Sequence, residues 1–521
     1  MSAVSLWPMS AMADEQPRVT LDQGVLVGQS RDGAQEFLGV RYGEPPVGNL
    51  RWKPPVPVHA GSATADATHP GKGCAQGPSP FGTASNAEDC LFLNVVVPDG
   101  DRHKPSSKGK PVMVWFHGGG LTNGSGDVYD AEALARENDV IVVTVNYRLG
   151  ALGFFAHPAL DRGQDPVANY GFMDQQQALR WVKGNIAAFG GDPRNVTIAG
   201  ESAGGLAVYT HLVSPLAIGL FQRAIIESGV PADEPLAKAE EEGEALATKV
   251  GCPSDASAEA AKCLRAVPVG KLLAAQETSS AAIIDGKLLQ EPITAALTAG
   301  DFAHVPVLNG SNHDEGTLIA AFMFEIFGKP LQAEDFAQAL AMIGSFIPGY
   351  SYADAALPAI ETAYDPADYK VPALAAAQVF TDSVIACPAF EADKALARHT
   401  PVYAYELADE NAPSIVAPPV SFPYGAAHFS ELQYLFDMSA ITIDDAPALT
   451  PAQKTLGHEM RAYWAAFAQS GDPGSQALPE WPRFDPAKGG PVMSLTVAAP
   501  QSSDAFATTH RCKFWQTVQR R

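Results

Sequence analysis

The segment Thr197-Ile198-Ala199-Gly200-Glu201-Ser202-Ala203-Gly204-Gly205 sets a G-x-S-x-G core between a short apolar run and a second apolar stretch, Leu206 to Val213. That order predicts a strand, a sharp turn and a helix, with the Ser202 hydroxyl exposed at the turn and glycines letting the chain fold back. A serine is a weak nucleophile at neutral pH, so Ser202 needs a base within hydrogen-bond reach and a third group to orient that base. The chain order that accompanies this motif is serine, acid, histidine. Between Gly310 and Gly316 a polar turn offers Asp314 and Glu315, and the residues alone leave both open as the acid. Among the later histidines, His428 lies in a loop of small residues, Gly425-Ala426-Ala427-His428. His458 falls in a helical pattern with charged neighbours, while His399 and His510 read as solvated surface residues. By elimination the base is His428.

A second glycine cluster completes the set. Val112 to Phe116 reads as a buried strand ending in His117-Gly118-Gly119-Gly120, an H-G-G-G motif. Glycines let successive backbone N–H groups point together at a developing oxyanion, and the amide of Ala203 supplies another donor. Losing one such donor costs about 3 to 4 kcal/mol in the transition state. The parts together predict acyl transfer: Ser202 attacks an ester carbonyl, an acyl-enzyme forms, and water releases the acid. That chemistry requires no metal and no organic cofactor, and no cysteine and histidine cluster in the sequence suggests a metal site. Because the base acts when neutral, activity is expected to fall as pH drops through about 6.5.

The elements that must position these groups follow from periodicity. Short apolar or β-branched runs at Leu91 to Val97, Val112 to Phe116, Val140 to Val145, Val196 to Ala199, Ala224 to Glu227, Val305 to Asn309 and Val402 to Glu406 suit strands buried on both faces. Asp174 to Ala188 reads as a helix, with Leu179, Val182 and Ile186 at three- and four-residue spacing. The alternation implies an α/β fold with one large, mostly parallel central sheet flanked by helices. Val19 to Val27 and Phe37 to Val40 add an N-terminal antiparallel part before the proline-rich loop from Pro45 to Pro57. Residues 317–374 show no comparable strand and read as a helical insertion at the mouth of the site. There Phe322, Met323, Phe324, Phe327 and Phe346 are candidates to line an apolar pocket.

Composition narrows the partners. The 521 residues carry a formal net charge of −23, and their hydrophobic and charged shares are those of a globular chain. A field of that sign repels phosphates, so nucleic acid is excluded as a partner and a neutral or cationic small substrate is favoured over an anionic one. No window supplies the roughly 18 uncharged apolar residues that a membrane-spanning helix requires. Residues 1–13 are small and apolar and end in Ala11-Met12-Ala13, which reads as a signal-peptide remnant or a disordered tail. Residues 14–521 then form one domain, expected as a monomer or homodimer. The six cysteines are compatible with disulfides and an oxidising compartment, secreted or periplasmic; without disulfides the expectation is cytoplasmic.

These motifs resemble the type B carboxylesterase/lipase family of α/β-hydrolases, which includes cholinesterases and bacterial para-nitrobenzyl esterases. The likeness extends through Gly39-Val40-Arg41-Tyr42-Gly43-Glu44-Pro45-Pro46, Glu88-Asp89-Cys90-Leu91-Phe92-Leu93-Asn94, Asn146-Tyr147-Arg148-Leu149-Gly150 and Phe189-Gly190-Gly191-Asp192-Pro193. It implies a serine carboxylesterase with Ser202, Glu315 and His428 as its triad and Gly119, Gly120 and Ala203 as its oxyanion hole. It further implies a supporting polar network of Glu201, Ser228 and Glu431, and the disulfide pairs Cys74 with Cys90, Cys252 with Cys263 and Cys387 with Cys512. Unlike the longer, tryptophan-bearing loop of cholinesterases, residues 75–89 offer only Phe81, which argues against choline esters. The alternatives are an interfacial lipase for long-chain acylglycerols and a non-catalytic binding or adhesion homologue.

Overall fold

The strand Lys110–Phe116 shows how the sequence builds the central layer. In the computed structural model, which describes residues 16–99, 109–160, 167–276, 281–346, 351–475 and 478–518, all five residues from Val112 to Phe116 are fully buried. Their side chains alternate: Val112, Val114 and Phe116 enter one hydrophobic core, Met113 and Trp115 another. A strand's period of two makes such a run apolar throughout only when both faces are covered. Ala224, Ile225 and Ile226 split between the same two cores, as do Val307 and Leu308.

The large sheet has eleven strands, numbered in chain order: β1 Gln29–Arg31, β2 Ala34–Arg41, β3 Phe92–Pro98, β4 Lys110–Phe116, β5 Ile141–Val145, β6 Gly191–Glu201, β7 Arg223–Glu227, β8 Val307–Asn312, β9 Val402–Leu407, β10 Val492–Leu495 and β11 Gln501–Ser503. Across the sheet they run β11-β10-β9-β8-β7-β6-β4-β5-β3-β2-β1. Every pairing from β10 to β5 is parallel, and both ends of the sheet are antiparallel. Helices α1 Tyr170–Asn185, α2 Ala203–Val213, α3 Pro372–Leu396 and α4 Pro451–Ser470 are the ones that bear on the site. This is the α/β-hydrolase fold.

Two sequence expectations need correction, and one helix calls for comment. Val19 to Val27 is not one strand but a hairpin of Arg18–Leu21 and Gly24–Val27, turned at Asp22 and Gln23 with Gly24 at φ +127°. Such a φ is open to glycine and costly for other residues. Helix α3 is long and apolar enough to cross a membrane by length and composition, yet most of it is buried inside the protein, where it serves as a core helix. His510 is not a solvated surface residue: it is fully buried between Asp382 and Glu406. Between β8 and β9 the chain is helical in its described part, from Gly316–Ala321 to α3, as its composition indicates. The N-terminal segment 1–13 lies outside the described residues.

Candidate active site

Strand β6 runs into helix α2 through Ser202, whose backbone sits at φ 57° and ψ −118°. A non-glycine residue there is strained, and surrounding contacts must hold it. The Ser202 amide donates to the Glu227 carbonyl of the neighbouring β7, and the Ser202 carbonyl accepts from Leu206 in the first turn of α2. A Cβ added at Gly204 would stand 2.0 Å from the Phe116 carbonyl oxygen, so only glycine lets the helix start this close to β4.

The three groups singled out in the sequence meet. His428 Nε2 is 2.9 Å from Ser202 Oγ, and His428 Nδ1 is 2.6 Å from Glu315 Oε2. The other oxygen of Glu315 accepts the Asn312 amide at 2.7 Å, and the His428 amide donates to the Glu315 carbonyl. Glu315 follows the carboxyl end of β8, where open α/β sheets collect functional groups. Asp314 faces elsewhere: its carboxylate accepts from the Ala426 amide at 3.0 Å and from His313 Nδ1 at 3.1 Å, bracing the loop that carries His428. Of the two acids that the residues alone leave open, Glu315 is the one in contact with His428.

Gly119 and Gly120 have φ values of +98° and +61° and line the same cavity as Ser202 and Ala203. Their loop is held from behind. The Tyr147 hydroxyl donates to the His117 carbonyl at 2.7 Å, the two rings stack at 4.3 Å, and His117 Nδ1 lies 2.8 Å from the Gly118 carbonyl. Burial pushes His117 down to about 4, so its ring is neutral and Nδ1–H serves as a donor. Arg148 makes a bidentate, buried pair with Asp174 of α1 at 2.8 and 2.7 Å. The Asn146-Tyr147-Arg148 segment is thus a brace for the glycine loop, a role that its spacing from the motif does not disclose.

Ser228 Oγ is 3.3 Å from Glu431 Oε1, and Asn312 Nδ2 donates to Glu431 Oε2. Glu201 lies nearer the chemistry than a supporting place implies, with Oε1 3.2 Å from His428 Nε2, an ion-pair separation without hydrogen-bond alignment. A Cβ on Gly118 would stand 2.5 Å from Glu201 Oε2, so that glycine makes room for the carboxylate. Burial pushes Glu201 up to about 8, with His428 pulling it back and Glu431 and Glu315 adding to the rise. Burial disfavours the charged form of His428, but Glu201, Glu315 and Glu431 outweigh it and raise the ring to about 10.

Above Ser202 lies a cavity of about 280 Å³ lined mainly by apolar side chains, among them Phe81, Leu206, Phe322, Phe380, Ile385 and Phe429. Of the aromatic candidates from the helical insertion, Phe322 and Phe346 line it. Phe324 is buried in the core, Met323 packs partly against that core, and Phe327 is 76% exposed. A larger cavity of about 550 Å³ shares Val230 and Val384 with this one and holds none of the reacting groups.

A nucleophile elbow, an acid–imidazole pair and an apolar cavity on this sheet define a serine hydrolase of the α/β-hydrolase fold. The chain belongs to the Carboxylesterase family, whose sequence model matches residues 15–515. It is 35% identical to rat (Rattus norvegicus) pyrethroid hydrolase Ces2e, covering 88% of this chain and 82% of that protein. It is 32% identical to human (Homo sapiens) cocaine esterase, over 93% and 87% of the two chains, and 32% identical to acetylcholinesterase of Bungarus fasciatus, over 92% and 82%. The protein is a carboxylic-ester hydrolase. Disulfides join Cys74 to Cys90, Cys252 to Cys263 and Cys387 to Cys512, with Cα separations of 4.9, 5.7 and 5.2 Å. Three such bonds, together with esterase relatives, suggest a secreted or lumenal compartment.

Proposed function

We propose that Ser202 is the nucleophile, His428 the general base and acid, and Glu315 the group that holds the imidazole in its working tautomer. The observation that carries this reading is the unbroken chain from Ser202 Oγ through His428 to Glu315, opening into an apolar cavity. Ser202 attacks the ester carbonyl and its proton passes to His428 Nε2. The oxyanion is received by the Gly119, Gly120 and Ala203 amides, and His428 returns the proton to the departing alcohol. Water then enters through the same base, releasing the acid and Ser202. Ser228 and Glu431 form the polar support behind the triad, while Glu201 stands against the imidazole itself.

The substrates are esters with neutral or cationic alcohol parts. The chain's charge of −23 disfavours anions, and among the described residues no cationic side chain except His428 lines the cavity. The protein acts outside the cytoplasm, secreted or periplasmic. A fluorophosphonate probe tests the core of this reading: wild-type protein becomes labelled and Ser202→Ala does not, whereas an unlabelled, folded wild type would make the protein a binder. A panel of esters, with that variant as blank, then maps acyl and alcohol preference.

The second reading, a lipase acting at an interface, is favoured by one observation. Phe322 in the cavity wall stacks on exposed Phe327 at 5.5 Å, so apolar surface continues from the site outward. Rates from acetate to palmitate esters, below and above their solubility limits, separate the two: a lipase accelerates once substrate aggregates.

A further inference from the structure

His313, two residues before Glu315 in the chain, belongs to a cluster that ester hydrolysis does not use. A ring nitrogen of His313, a ring nitrogen of His510 and a carboxylate oxygen of Glu406 all lie within 4.8 Å of one another. We propose that His313, His510 and Glu406 form a binding site for a single divalent transition-metal ion of the zinc class. No motif in the chain announces it, because the three side chains come from stretches remote from one another in sequence. His313 directly follows β8, Glu406 stands in β9, and His510 lies in the C-terminal segment just before Cys512.

The chemistry of the donors carries the proposal. Two imidazoles and one carboxylate are a zinc ligand set, whereas calcium and magnesium take oxygen ligands alone. Each ring has its Nδ1 on a carboxylate, His313 on Asp314 at 3.1 Å and His510 on Asp382 at 2.7 Å. For His510 that leaves Nε2, already beside Glu406, as the ligand nitrogen, in the carboxylate–histidine arrangement that orients metal ligands; the same arrangement on His313 would use its Nε2. Asp382 is itself fixed by the Tyr364 hydroxyl at 2.7 Å and by Gln378 at 2.8 Å. Three carboxylates, Asp314, Asp382 and Glu406, therefore surround two imidazoles, an excess of negative charge that a dication offsets.

His510 Nε2 lies 2.6 Å from Glu406 Oε1. Two ligands of a tetrahedral zinc ion stand roughly 3.4 Å apart, so this contact must open by somewhat under an ångström as zinc replaces the proton between them, releasing it to solvent. His510 is fully buried, while the His313 side chain is 35% exposed and leaves a route for entry.

The test uses full-length protein stripped with a chelator and titrated with zinc chloride against a chromophoric competitor, so its outcome does not depend on the ester reading. Wild type is expected to bind one zinc per chain, and His313→Gln to bind it at least about 100-fold more weakly, beyond the roughly 10–100-fold typical of losing an outer-shell partner. Cobalt in place of zinc should give the intense visible bands of a four-coordinate ion in wild type only. Should His313→Gln fail to fold, Glu406→Gln carries the same expectation. A wild type that binds no zinc, or equal affinity in wild type and a folded variant, overturns the site and leaves His510 as an imidazolium clamped between two acids.

Discussion

The carboxylates around His428 decide how the enzyme responds to pH. An unperturbed imidazole would lose its function as base below about 6.5. Here burial opposes protonation, but the carboxylates of Glu201, Glu315 and Glu431 win and raise the ring to about 10. The sign follows directly: a base with a raised pKa is protonated sooner as pH falls, so the acid limb of kcat/KM should stand above the ordinary histidine value. The limb belongs to the coupled group rather than to one ring. Glu201 Oε1 lies 3.2 Å from Nε2 and is itself raised to about 8, so the two groups share one titration; replacing Glu201 by glutamine takes its part of the negative charge out of that pair and should move the limb down. A limb that stays in place in Glu201→Gln would show that this carboxylate is not ionised beside the base. Ser202→Ala should lower turnover on the order of a millionfold, measured on any hydrolysed ester.

Among the elements, the turn between β6 and α2 concentrates the steric demand. Alanine at position 204 would press a Cβ to 2.0 Å from the Phe116 carbonyl, which is backbone and has little freedom to yield. Gly204→Ala should therefore cost about 3 kcal/mol or more, the upper end of overpacking, read as a lower unfolding midpoint. Arg148→Ala should cost about 3–5 kcal/mol by leaving buried Asp174 without its partner. These elements are legible in the sequence to different degrees. The strands leading to Ser202 and the glycine loop carry apolar runs on both faces, so they stand out, whereas β8, which leads to Glu315, has only Val307 and Leu308 apolar before Asn309-Gly310-Ser311-Asn312. The hairpin at Asp22 is hidden because a two-residue turn interrupts an otherwise continuous pattern. His510 reads as a surface residue because its neighbours in sequence, Thr509 and Arg511, are polar and exposed, while its true partners are remote in the chain. The closeness of Glu201 to the base escapes notice for a related reason: its distance from His428 depends on a glycine at 118 that periodicity does not register.

Taken across the whole molecule, the C-terminal segment closes onto the wall of the active site. Cys387 lies in α3, whose residues Phe380, Val384 and Ile385 line the cavity, and it is joined to Cys512 across a separation of 125 residues. Beside that bond, Trp515 Nε1 donates to the Tyr364 hydroxyl at 2.7 Å, and Tyr364 in turn donates to Asp382. Covalent and polar contacts thus hold the same helix. In the chain-entropy model a loop of this length stabilises the fold by about 5 kcal/mol, and measured losses on removing native disulfides run at about 2–5 kcal/mol. A Cys387→Ser, Cys512→Ser variant should unfold at a lower guanidinium concentration by an amount in that range. Because the polar contacts to Tyr364 and Asp382 remain, the folded variant should keep its ester hydrolysis while losing stability. An unchanged midpoint would mean that those contacts alone anchor the tail, and an activity loss without a stability loss would mean that the bond shapes the cavity rather than the fold.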